Sequence, residues 1–92
     1  WALILSEIAP ERRDDLLARG VEHGKSRYIC NVHLLSDVQA SQIIASGTDA
    51  QLHADPVFRA DQRAAQQEVQ SLRMSGVQPN EDCKLERKSF QL

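Results

Sequence analysis

The sequence predicts an all-α chain, a helical bundle segment, on three observations. No stretch alternates apolar and polar residues as a half-buried strand does. The apolar content is Ala, Val, Leu and Ile, with only Trp1, Tyr28, Phe58 and Phe90 as aromatics, and these small aliphatic side chains suit closely packed helices. Pro10, Asn31, Asp55-Pro56 and Gly76 punctuate the chain at helix-length intervals.

Residues 1–8 read as the end of an apolar helix, broken at Ala9-Pro10. Pro10 fits the first turn of a second helix, where its missing N–H costs nothing. Glu11, Asp14 and Asp15 follow where negative charge complements the positive end of the helix dipole. Leu16, Leu17, Gly20, Val21, Gly24, Arg27 and Tyr28 recur at three- and four-residue spacing, which predicts one helix from about Pro10 to Cys30. Gly20 and Gly24 each cost it about 1 kcal/mol relative to Ala, but they let another backbone approach closely. Asn31 is the expected stop, being the residue after Gly that best tolerates a left-handed cap.

Ser36 with Gln39 has capping-box spacing and predicts the start of a third helix, running from Asp37 to about His53. His33 then falls in a short loop and Asp37 in a first helical turn. Val38, Ala40, Ser41, Ile44, Ala45, Gly47 and Thr48 give this helix a small-residue surface for tight packing. Asp55 caps and Pro56 begins the last predicted helix, which ends near Met74 with Gly76 beyond it. Its apolar stripe (Phe58, Ala65, Val69, Leu72) is narrow, and the Gln- and Arg-rich remainder is expected to face water. The chain thus divides into a helical part, 1–75, and a polar C-terminal tail, 76–92, expected to be loosely ordered.

Composition bounds the function. A chain of 92 residues makes one small domain that buries about two thirds of its unfolded surface. A net charge of −2 gives no electrostatic case for nucleic acid or an anionic membrane. No apolar run approaches the roughly 20 residues needed to span a bilayer. Two cysteines, Cys30 and Cys83, could pair with each other, pair with cysteines elsewhere or stay reduced. Cys30 reads as a small buried hydrophobe, and Cys83 as a place where a disulfide could pin the tail.

The chemistry concentrates between Ser26 and Asp37, in the pattern S-R-x5-H-x3-D. Arg27 offers a planar fork of N–H donors matched to phosphate oxygens. His33 can act as nucleophile or acid/base, and Asp37 can fix its tautomer by accepting from the other ring nitrogen. Outside this pattern, His23 and His53 match no motif position and read as structural or exposed. Glu11 to Asp15 reads as a solvated face with local ion pairs, and the Lys84 to Lys88 cluster as ordinary tail polarity.

This pattern closely resembles the third signature of the type 2 phosphatidic acid phosphatase superfamily, which includes the bacterial class A non-specific acid phosphatases and the vanadium haloperoxidases. The likeness to the class A enzymes extends through the flanks, Ala2-Leu3-Ile4-Leu5-Ser6-Glu7-Ile8-Ala9-Pro10, Ser36-Asp37-Val38-Gln39-Ala40 and Leu52-His53-Ala54-Asp55-Pro56-Val57-Phe58, and covers roughly residues 1–73. Asn31 stands where those enzymes commonly have Gly, Ser41 where Gly is common, and Leu34 where an aromatic able to stack on substrate is frequent. The superfamily's two earlier motifs, K-x6-R-P and P-S-G-H, do not occur here. With Trp1 opening inside an apolar helical run, the chain reads as the C-terminal part of a larger all-helical phosphatase domain.

The resemblance implies an acid phosphatase that hydrolyses phosphate monoesters through a phosphohistidine, releasing inorganic phosphate. His33 would be the nucleophile, Asp37 its orienting partner and Arg27 a ligand of the phosphoryl oxygens, with Ser26 a supporting member of the motif. An N-terminal segment of the same protein would supply the rest of the site, so this chain alone is expected to be inactive. No metal or other cofactor is implied. A periplasmic or secreted location and a homo-oligomer are, and neither nucleic acid nor membrane is an expected partner. The alternatives are a lipid phosphatase or vanadium haloperoxidase of the same superfamily, or a non-catalytic helical module that retains the motif.

Overall fold

The computed structural model describes residues 1–79 and 83–89. These form α1 (Ala2–Ile8), a 3₁₀ turn (Pro10–Arg12), α2 (Arg13–Ile29), α3 (Leu35–Leu52), α4 (Pro56–Met74) and α5 (Cys83–Ser89), with no strand among the described residues. The fold is all-α, as the spacing predicts. Pro10 opens a tighter 3₁₀ turn rather than the α-helix itself, which begins three residues later at Arg13. Ala9, ahead of Pro10, is held out of the helical region (φ −125°, ψ 73°), the usual restriction on a residue preceding proline.

Punctuation residues do what their chemistry dictates. Asn31 adopts φ 61° and Gly76 φ 74°, ending α2 and α4 in the left-handed region. Asp55 caps α4 by accepting from the N–H groups of Val57 (2.7 Å) and Phe58 (3.2 Å), with Pro56 at the first helical position. The third helix begins differently from the expected Ser36–Gln39 box. Leu34 is the N-cap in extended conformation, and Asp37 reaches back to accept its N–H at 2.9 Å. A carboxylate outcompetes the Gln39 amide as an acceptor for an orphan N–H, which moves the helix start two residues earlier. In the expected tail, α5 is a helix the sequence reading lacked; Lys84, Leu85 and Arg87 are good helix formers, which accounts for it. Residues 80–82 and 90–92 of the tail, Phe90 included, lie outside the described ones.

α1 packs chiefly on α2 and then on α4, and α2 packs on α3. The two glycines of α2 mark the closest approaches. A Cβ on Gly20 would lie 2.5 Å from the Ala2 Cβ, and one on Gly24 would lie 3.2 Å from Val38 Cγ1. Leu16, Leu17 and Tyr28 share this half-buried face of α2, whereas Val21 and Arg27 of the predicted stripe are exposed.

Among the described residues no sealed core forms. Ser6, 5 % exposed and donating to the Leu3 carbonyl, is the one fully buried residue among those described. The accessible surface is 7624 Å², against about 5,400 Å² for a folded monomer of this mass. The radius of gyration is 15.5 Å, against about 12 Å for a compact domain of this length. Large apolar side chains are left exposed along the chain, among them Ile43 (75 % exposed) and Ile44 (68 %) on α3, whose small-residue surface is not packed tightly here. Cys30, expected to be buried, is exposed at the C-cap of α2, where nothing among the described residues covers it; it and Cys83 are free thiols.

Candidate active site

The turn between α2 and α3 brings the motif together. Asn31 reverses the chain, and the carbonyl of Arg27 then accepts two N–H groups of the returning segment, from Val32 (3.0 Å) and His33 (3.1 Å). The backbone of Arg27 therefore holds the histidine loop in place, and the five-residue spacing between Arg27 and His33 is the length this closure requires.

Arg27 itself is aimed by Ser26. The Ser26 hydroxyl donates to the His23 carbonyl at 2.6 Å and accepts from Arg27 Nε at 3.1 Å. The terminal guanidinium nitrogens have no partner among the described residues, which leaves a two-pronged donor facing solvent. On the other side of the loop, Asp37 Oδ2 stands 3.5 Å from His33 Nδ1. That is too long for a formed hydrogen bond. The same oxygen is already engaged with the Leu34 N–H. The carboxylate is thus fixed by the helix cap, close beside the imidazole. His33 is 57 % exposed, and its Nε2 has no partner among the described residues.

A second histidine is built in the opposite manner, and sequence reasoning left it without a role beyond structure or exposure. His53, the C-cap of α3, directs Nδ1 to the Asp49 carbonyl (2.6 Å) and Nε2 to Glu7 Oε2 on α1 (2.7 Å). Glu7 also receives Gln62 Nε2 at 2.9 Å, and its carbonyl receives Gln66 Nε2 at 2.6 Å, both from α4. These glutamines face inward, contrary to the expectation that the polar residues of α4 all face water. They lie on the half-buried stripe with Phe58, Ala65 and Val69, and that register was the available signal. The Asp49 carbonyl, then the Glu7 carboxylate, raise His53 above its ordinary 6.5, partial burial opposing them. The His53 hydrogen bond, aided by Gln62, holds Glu7 below its ordinary 4.5.

Glu7, Asp49 and His53 place three metal-type ligand atoms within 4.8 Å of one another. The arrangement does not fit one ion. Glu7 faces one ring nitrogen and Asp49 the other, at 3.7 Å from its carboxylate, so an ion on either nitrogen would leave one carboxylate behind the ring. A shallow groove lined by Ile8, Pro10, Gln66, Val69, Arg73 and Met74 runs elsewhere, between the end of α1 and α4, and holds none of the motif residues.

An all-α segment that carries an exposed imidazole facing a fixed carboxylate, on a loop tied to the backbone of an arginine with open guanidinium nitrogens, has the groups that phosphoryl chemistry uses. Comparison with known proteins agrees with that class. The chain is 44 % identical over 87 residues to an acid phosphatase of Zymomonas mobilis, covering 94 % of this chain and 33 % of that protein. It is 49 % identical over 72 residues to a non-specific acid phosphatase of Providencia stuartii (78 % and 29 %). With a non-specific acid phosphatase of Salmonella typhimurium the identity is 40 % over 68 residues (74 % and 27 %). The chain is homologous to a C-terminal part of proteins named acid phosphatase or non-specific acid phosphatase, and it spans about a third of the length of these curated relatives. No family model and no solved structure matches it.

Proposed function

We propose that the chain is the nucleophile-bearing part of an acid phosphatase that hydrolyses phosphate monoesters through a phosphohistidine. The observation that carries this reading is the state of His33: exposed, with Nδ1 facing a fixed carboxylate and Nε2 open. In the reaction, Nε2 forms a bond to phosphorus as the ester P–O bond breaks, and the departing alkoxide takes a proton from a second histidine. That histidine then removes a proton from water, whose oxygen displaces His33 and releases phosphate. Asp37 stabilises the cationic phosphohistidine, and Arg27 takes negative charge from the equatorial oxygens.

The second histidine and further cations come from a preceding segment, in the part of the relatives this chain does not span. Unpartnered apolar residues support that division. Ile29, Val32, Leu34 and Leu35 are exposed around the motif, as are Ile43 and Ile44 on α3. A covering segment would remove them from water and enclose the site, where the interactions of Arg27 with phosphate strengthen. The chain by itself is then inactive. Periplasmic or secreted location, homo-oligomerisation and metal-independent catalysis belong to the same reading, and rest on the family resemblance.

The test is the full-length protein assayed with p-nitrophenyl phosphate in the presence of EDTA, with alkali-quenched samples, which preserve the acid-labile P–N bond, mapped for phosphate transferred from a labelled monoester. The expected result is chelator-resistant hydrolysis with a bell-shaped acid-to-neutral profile and phosphate trapped on the peptide containing His33. Phosphate trapped on no residue, or a flat profile over that range, counts against the covalent scheme.

A further inference from the structure

The Glu7–His53 pair joins residues 46 positions apart in sequence and connects three helices, yet it takes no part in the proposed chemistry. Both ring nitrogens of His53 meet oxygen acceptors. The Asp49 carbonyl has no proton to give, so Nδ1 must donate to it. Nε2 meets a carboxylate that already accepts from Gln62, and the short contact is satisfied when Nε2 also carries a proton. A ring donating from both nitrogens is an imidazolium.

The surroundings are consistent with a held proton. Glu7 faces the ring from α1 and Asp49 from α3, its Oδ1 buried without a hydrogen-bond partner. From α4, Arg59 donates to the His53 carbonyl at 2.8 Å, and the Phe58 ring meets the imidazole edge-on at 5.5 Å. Arg13 at the start of α2 acts on Glu7 through space. The cations engage the His53 backbone and the far partner, while the carboxylates engage the ring.

We propose that the His53 imidazolium is an acid-range latch, one N–H on the Asp49 carbonyl and the other on the Glu7 carboxylate, that fixes α1 to the α3–α4 corner and releases it as pH rises. The sign follows from the two shifts. His53 is raised above 6.5, so its contribution is full below 6.5 and is lost as pH climbs through the higher folded value. Glu7 is lowered below 4.5, so its contribution is full above 4.5 and is lost as pH falls through the lower folded value. The latch is therefore strongest between these limits and weakens on both sides.

Long-range proton–nitrogen NMR of the full-length protein reads the ring directly. The expected result is a His53 ring protonated at both nitrogens in mild acid, with a titration midpoint above 6.5. Thermal unfolding adds a second readout: the Tm gap between wild type and His53→Gln should be widest at about pH 5.5 and narrow markedly by about pH 9. A midpoint at or below 6.5, an unprotonated nitrogen in mild acid, or a Tm gap that does not change with pH would overturn the latch. If His53→Gln does not fold, the wild-type titration decides alone.

Discussion

Two histidines of this chain each face a carboxylate, and almost everything else about them differs. His53 has both nitrogens engaged at 2.6 and 2.7 Å and a side chain only 30 % exposed, between three helices. His33 has one nitrogen 3.5 Å from Asp37, the other open, and sits on a five-residue loop with apolar neighbours bare to solvent. The contrast separates two uses of the same side chain. A ring whose lone pairs and protons are all committed stabilises a packing arrangement, whereas a nucleophile needs a nitrogen left uncommitted.

The sharpest way to break this comparison is to remove each ring in the full-length protein. His33→Ala should lower kcat/KM for p-nitrophenyl phosphate by about a thousandfold or more, as loss of a covalent nucleophile does, with little change in Tm. His53→Gln should do the reverse, lowering Tm in mild acid while folded protein keeps most of its activity. Equal losses of activity from both would mean that the two sites are not separable in this way.

A smaller effect is expected at Asp37, whose carboxylate serves the helix cap and the imidazole together. In Asp37→Asn the amide oxygen can still accept from Leu34, so the stability change should stay within about 1 kcal/mol. The charge behind His33 is lost, and kcat/KM should fall about ten- to a hundredfold, the scale of one charge-assisted hydrogen bond. Steady-state kinetics alongside thermal unfolding separates the two roles. A stability loss without a kinetic one would reduce Asp37 to a cap.

How much of this was legible in the sequence depends on the range of the interaction. Asn31, Asp55-Pro56 and Gly76 act within a turn of themselves, and their structural roles could be read from residue type alone. The approach of His33 to Asp37, on a loop closed over the Arg27 carbonyl, was legible too, because eleven consecutive residues contain it. The Ser36 cap failed on a local competition, since spacing suggests a partner but does not rank Asp37 against Gln39 as an acceptor. The Glu7–His53 link could not be read, because nothing near residue 53 signals a partner 46 residues earlier. Burial of Cys30 was misjudged on composition, which records a tendency of cysteine and not what covers it here.

Effects on stability alone are expected at two helical glycines, the smallest of all at Gly47, and they compare a region packed within this chain with one that is not. A methyl at Gly20 meets the Ala2 Cβ at 2.5 Å, whereas one at Gly47 meets nothing within 4 Å. Gly20→Ala should therefore cost about 1–3 kcal/mol through overpacking, despite the better helix propensity of Ala. In the 92-residue chain, Gly47→Ala should add about 0.5–1 kcal/mol, because the gain in helix propensity has no steric cost to offset it. The full-length protein gives the informative reversal. If a preceding segment packs against this face of α3, the added methyl meets a backbone or side chain there, and the gain becomes a loss in thermal unfolding. A gain of the same size in both backgrounds would leave that part of α3 facing water in the complete enzyme, and the covering segment would have to lie over Ile43 and Ile44 without reaching Gly47.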